Sequence, residues 1–153
     1  MDRLQARADI QDLNSFYALA VDTFRLEDAV NCWTVDGVFD ERQSGLDRYQ
    51  GHDQIRAFFK DTILANISAV VHFMANHLIT DITETTAKGT VFTLVEVIKK
   101  DGVRSRVIAM YEDDYAKVDG AWKFRSRVIH TEFPREIVAN GVERLSHATE
   151  AST

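Results

Sequence analysis

The stretch Ala69–Phe133, AVVHFMANHLITDITETTAKGTVFTLVEVIKKDGVRSRVIAMYEDDYAKVDGAWKFRSRVIHTEF, decides the fold class. It divides into four long runs rich in β-branched and aromatic residues: Ala69–Ile82, Thr86–Lys99, Val103–Val118 and Ala121–Phe133. Such side chains suit a pleated, half-buried surface, so each run predicts a strand. Asp101-Gly102 and Asp119-Gly120 stand between runs. An Asp-Gly pair at such a joint predicts a type I′ hairpin turn, because both central residues need positive φ. Glu84-Thr85 marks a vaguer turn. The whole stretch therefore reads as a long antiparallel meander.

Upstream of it the period changes. Ile10, Leu13, Phe16, Tyr17, Ala20, Val21 and Phe24 recur at helical spacing over about residues 4–25. A short helix is predicted at Glu27–Trp33, then a strand at Gly37–Arg42. Gly51–Ala65 reads as a third helix, with Ile55, Phe58, Phe59 and Ile63 as its apolar stripe. Helices first and a meander afterwards predict an α+β domain. The single proline, Pro134, ends the pattern, and no Pro/Ser/Gly-rich linker precedes it. One domain over residues 1–134 is expected, with residues 135–153 a partly disordered extension whose tail, HATEAST, frays.

Composition narrows the function classes. The chain has 153 residues, 45% of them hydrophobic and 27% charged, which is ordinary for a globular protein with a real core. Its formal charge of −6 argues against nucleic acid as a partner, since that affinity comes from neutralising phosphates. No apolar run approaches the length of a membrane span, and the charged start, MDRLQARADIQDL, is no secretory signal. Cys32 is the only cysteine, which makes the cytoplasm the expected location. No CxxC, HExxH, P-loop or GxGxxG pattern occurs, so neither a metal nor a nucleotide cofactor is expected.

Four residues stand out as chemistry. His72 lies mid-strand, and an imidazole can accept and return a proton at neutral pH. A core histidine bonded to a backbone carbonyl would read the same. Asp22 could orient that imidazole and stabilise its cation. At about 100° per residue, however, the wheel places Asp22 opposite the apolar arc, near Gln11 and Ser15, so periodicity alone leaves it exposed. Arg127 offers a permanent charge and forked donors for an oxygen that gains charge, or is a surface arginine. Strict alternation puts Trp122 and Phe124 on the face opposite Arg125 and Arg127, so bringing both pairs inward needs a bulge. Tyr17 sits inside the apolar arc, as a hydroxyl donor to substrate or as a core tyrosine. By alternation His77 points away from His72. The acidic run Glu112-Asp113-Asp114 reads as a solvated strand segment.

Three stretches carry a family resemblance: RADIQDLNSFYALAVD ending at Asp22, VVHFMANHLI holding His72, and YAKVDGAWKFRSRVI holding Arg127. Together with GHDQI at residues 51–55 they make residues 4–134 resemble the SnoaL-like, nuclear transport factor 2-like superfamily. The Asp–His–Arg combination is similar to its lyase branch, which includes hexachlorocyclohexane dehydrochlorinase, bile acid dehydratase and, more distantly, scytalone dehydratase. The resemblance implies a cone, with the helices packed in a strongly curved, mainly antiparallel sheet around an interior pocket. It implies catalytic roles for Asp22, His72, Arg127 and Tyr17. The size of the pocket depends on how Phe39, Phe73, Met110 and Phe133 point. Where the dehydrochlorinase has a lysine five residues before its aspartate, this chain has Tyr17, as bile acid dehydratase does. The expected activity is thus a cofactor-independent, dehydratase-like lyase acting on a small apolar ring compound. An isomerase or cyclase on the same scaffold, or a binding module without catalysis, are the alternatives. A homodimer or homotrimer is expected through the open sheet face.

Overall fold

The computed structural model describes residues 2–131 and 133–142. A 20-residue helix, α1 (Arg3–Asp22), opens the chain, its first turn capped by the Asp2 carboxylate, which accepts from the backbone N–H of Leu4 and Gln5. It ends in a Schellman turn: Arg25 N donates to Ala20 O, Phe24 N donates to Val21 O, and Phe24 takes φ 57°. A left-handed phenylalanine is strained, so this turn is held from outside α1. Helix α2 (Leu26–Asn31) follows, then strand β1 (Trp33–Asp40), which starts four residues earlier than its sequence pattern suggests.

A 3₁₀ turn at Arg42–Ser44 and a short strand, β2 (Arg48–Gln50), lead into α3 (Gly51–Phe58). The third helix does run on as expected, but over Phe59–Leu64 it widens into a π-helix. Asn66 Nδ2 caps it by donating to the carbonyls of Asp61 and Thr62. Wide turns of this kind tend to sit at functional walls.

The four long strands are present as β3 (Ile67–Thr80), β4 (Thr86–Lys99), β5 (Arg104–Val118) and β6 (Ala121–His130). A last strand, β7 (Glu136–Ala139), falls in the segment expected to be an extension. The tail HATEAST lies outside the described residues. The sheet order is β2-β1-β6-β5-β4-β3, antiparallel except for the parallel β1–β6 pair. Strand β7 takes the edge of β5 at Arg104–Arg106, beyond the point where β6 leaves it at Met110. The sheet curves around α1, in the α+β cone the family resemblance implied, and α1 packs against β3. No helix among the described residues is long and apolar enough to cross a membrane.

The hairpins differ in detail. Asp119 and Gly120 both have positive φ, as a type I′ turn requires. At Asp101-Gly102 only Gly102 does, and Lys99 N donates to Val103 O while Gly102 N donates to Lys99 O. That joint is a longer loop with a G1-type bulge, not the type I′ turn expected.

Two bulges reset the alternation. In β6, Ser126 pairs with Asp114 but Phe124 pairs with Tyr115, which leaves Arg125 as the extra residue. Trp122 and Phe124 before it, and Arg127 and Ile129 after it, are all buried. In β3, Asn76 takes φ 53° where the register slips between Ala75 and Leu78. That slip turns His77 inward, correcting the orientation read from strict alternation. His77 Nε2 lies 3.1 Å from Tyr115 Oη, on the concave side.

Candidate active site

The concave side of the sheet, α1 and the π-helical segment enclose a cavity of about 350 Å³. That is within the size range of small-molecule sites. Its walls are largely apolar: Val21 from α1, Phe39 from β1, Phe59 and Ile63 from the π-helix, and Val95 and Val97 from β4. Their alternation explains them. On β4, residues 95 and 97 point inward together, and their β5 partners Val107 and Ser105 lie on the same face.

His72 faces this cavity from β3. Its side chain is only 11% exposed. Behind it, at the last residue of α1, lies Asp22. Asp22 Oδ1 is 2.6 Å from His72 Nδ1, and Asp22 Oδ2 accepts from the His72 backbone N–H at 2.9 Å. A carboxylate only accepts, so Nδ1 carries the hydrogen. In the neutral ring Nε2 then bears the lone pair, and it has no hydrogen-bond partner among the described residues. The geometry is that of a histidine base with its orienting carboxylate. Asp22 is therefore not exposed, as the wheel suggested, but covered by β3, which crosses the end of α1 outside the apolar arc.

Tyr17, five residues before Asp22 on α1, also lines the cavity. Its ring packs edge-on to Trp33 and Phe124, which fixes its direction. The hydroxyl has no hydrogen-bond partner among the described residues. Burial pushes its pKa well up, so it stays a neutral O–H donor.

Arg127 is not on the cavity wall. It is fully buried behind Tyr17 and Tyr111. Its Nε and Nη2 donate to the two oxygens of Asp113 at 2.7 and 2.8 Å, and Nη2 also donates to Asn14 Oδ1. The guanidinium carbon sits 4.1 Å from the Phe124 ring centroid and 4.4 Å from that of Tyr111. Arg127 therefore does not reach the cavity, and direct contact with a bound molecule, as expected for it, is blocked by the two phenols in front of it. Asp113, read from the sequence as solvated, is the buried counter-ion. Tyr115 Oη donates to Asp113 Oδ2 and accepts from Asn14 Nδ2. With its one proton spent, it must also accept from His77, so His77 carries its hydrogen on Nε2.

Of the four expected pocket residues, only Phe39 lines the cavity. Phe73 stands between His72 and Met74 on β3 and so points to the outer face, 59% exposed. Met110 lies between Ala109 and Tyr111, which both face inward, and takes the outer side for the same reason. Phe133 follows the end of β6 and is exposed beside a shallow groove. Glu41 and Arg135 line the cavity without having been singled out. For Glu41 the signal was available: Phe39 and Glu41 are two residues apart in the expected strand, so both fall on one face. Arg135 lies beyond Pro134, in a segment with no strand-like signal.

The signature of the SnoaL-like domain family matches residues 2–128, and the chain belongs to that family. It is 27% identical over 128 residues to gamma-hexachlorocyclohexane dehydrochlorinase of Sphingobium indicum, covering 83% of this chain and 81% of that protein. A solved structure assigned as an aromatic ring hydroxylase, from Novosphingobium aromaticivorans, is 29% identical with a TM-score of 0.84, covering 90% of this chain and 96% of that one. Another from the same organism, assigned as a scytalone dehydratase, superposes with a TM-score of 0.80 at 21% identity, covering 94% and 97%. The dehydrochlorinase and scytalone dehydratase relatives are lyases by name on this scaffold.

The buried ion pair yields a stability prediction. Arg127→Met leaves the Asp113 carboxylate buried without its partner and costs about 3–5 kcal/mol. Pairing it with Asp113→Leu restores most of that loss. Urea unfolding of the two single variants and the double variant measures both effects.

Proposed function

We propose that the protein is a cofactor-independent lyase of dehydratase type. Its substrate is a small or medium ring compound with a hydroxyl beside an acidic C–H. The observation that carries this reading is the Asp22–His72 pair at the cavity wall. His72 Nε2 takes the proton, and Asp22 stabilises the imidazolium that forms. The electron pair moves toward an activating carbonyl, whose oxygen accepts from the Tyr17 hydroxyl. The Arg127 charge, 5.0 Å from the Tyr17 ring centroid, favours the negative charge that builds up in front of that ring. The electron pair then forms the double bond as the hydroxyl leaves. The largely apolar walls exclude water and strengthen each of these interactions.

Tyr17 favours a hydroxyl over a halide as the departing group. A phenol donates to oxygen, but it brings no fixed positive charge for chloride. This separates the proposed chemistry from the dehydrochlorination named for the Sphingobium relative.

The outer sheet face carries Val71, Phe73, Leu78, Phe92 and Ile108, each at least 37% exposed. They lie on three adjacent strands, and an apolar patch of this kind marks an association surface. We propose that a second copy of the chain covers it. Phe73→Lys is expected to shift the sedimenting species to monomer. An unchanged sedimentation coefficient would remove this face from the assembly.

A β-hydroxy ketone, 3-hydroxycyclohexanone, is a suitable probe of the activity. The expected product has lost one water by mass, whereas an isomerase would return a product of unchanged mass. His72→Ala should slow this elimination about 10²–10⁴-fold, the usual contribution of a positioned base. Asp22→Asn should slow it with little change in KM. Elimination at the wild-type rate in both variants would defeat the reading.

A further inference from the structure

Glu41 is the acidic side chain on the cavity wall whose role the Asp22–His72 pair leaves open. It follows the end of β1 and faces the same cavity as His72. Its partner is Ser44, also on the cavity wall. Ser44 Oγ lies 2.8 Å from the Glu41 carbonyl oxygen and 2.5 Å from Glu41 Oε2. A hydroxyl has one proton, so Ser44 cannot fully donate in both contacts. Both are satisfied when Ser44 donates to the carbonyl and Glu41 Oε2 donates its own proton to Ser44. The geometry thus fits a carboxylic acid better than a carboxylate.

We propose that Glu41 is the acid of this site, held protonated on the cavity wall and delivering its proton to the departing oxygen of the substrate. This deepens the lyase reading and rests on it. His72 Nε2 takes the carbon-bound proton, and the electron pair it leaves, first held toward the carbonyl oxygen, becomes the new double bond as the C–O bond breaks. The Glu41 proton moves to the departing oxygen, which leaves as water rather than hydroxide. The enzyme is left with a His72 imidazolium and a Glu41 carboxylate, and one proton passing from the first to the second through solvent restores both. A halide needs no such proton, so the acid commits the site to oxygen leaving groups.

The surroundings are consistent with it. Burial pushes the Glu41 pKa up. A Ser44 hydroxyl that donated to the carboxylate would oppose that shift, as would a His72 imidazolium and as do the charges of Arg135 and Arg127. The phenols of Tyr17, Tyr49 and Tyr111 are the remaining titratable groups that sense Glu41.

The first arm of the test needs no substrate. Glutamate labelled with ¹³C at the carboxyl is followed by NMR against pH, and Glu41→Gln assigns the resonance. A midpoint more than one unit above the ordinary glutamate value of about 4.3 is expected. Ser44→Ala should lower that midpoint, because it removes an acceptor of the acid's proton. An ordinary midpoint, or one that rises in Ser44→Ala, overturns the proposal. The second arm compares 3-hydroxycyclohexanone with 3-acetoxycyclohexanone, whose leaving group needs no acid. Glu41→Gln should slow the first about 10²-fold and leave the second nearly unchanged, while His72→Ala slows both. Equal loss on both substrates, or none on the hydroxyl compound, overturns the acid role. The dyad itself fails if His72→Ala leaves both rates unchanged, an outcome the Glu41 titration does not influence.

Discussion

One carboxylate joins the helical and sheet layers at the place where chemistry is possible. Asp22 holds the backbone N–H of His72 with one oxygen and the imidazole with the other. The first contact fixes where β3 crosses the end of α1, and the second fixes the ring. The position is unfavourable for an anion, because the last turn of a helix presents the negative end of its dipole. The Schellman turn that follows also places Phe24 in a strained left-handed conformation. Hydrogen bonds to a charged acceptor contribute about 1.5–3 kcal/mol each, enough to offset both costs. The site and the crossing of β3 over the end of α1 therefore depend on the same two bonds.

Behind this pair lies a second polar layer with a different task. Arg127, Asp113, Asn14, Tyr115 and His77 hydrogen-bond one another away from the cavity, with Arg127 Nη1 the one guanidinium nitrogen that has no hydrogen-bond partner among the described residues. Such a network is costly to leave incomplete, so it favours one arrangement of β3, β5 and β6. Its positive member stacks beneath Tyr17 and Tyr111, the phenols that do reach the cavity. The layer thus links core packing to the electrostatics of the site without touching a ligand.

The four long strands were legible because β-branched residues and Asp-Gly pairs mark them locally. The parallel β1–β6 pair and β7 were not, since pairing across distant segments leaves no local pattern. Alternation failed where bulges intervene. Arg127 and His77 are turned inward by the extra residues Arg125 and Asn76, and only the conflict at Trp122/Phe124 against Arg125/Arg127 hinted at one of them. Phe73 and Met110 show the reverse case: their apolar character made them pocket candidates, while alternation around His72 and Tyr111 puts them outside. For Asp22 the wheel misplaced the side chain, because a wheel sees one apolar arc and not the strand that crosses the helix end.

The central claim is that Asp22 selects the His72 tautomer with hydrogen on Nδ1 and a free lone pair on Nε2, facing the cavity. Long-range ¹H–¹⁵N correlation spectra of ¹⁵N-histidine-labelled protein, taken where the ring is neutral, measure this directly. The account predicts a protonated Nδ1 and an unprotonated Nε2 for His72, with that preference lost in Asp22→Ala. A His72 ring protonated on Nε2 in the wild type, or a pattern unaffected by Asp22→Ala, would contradict it.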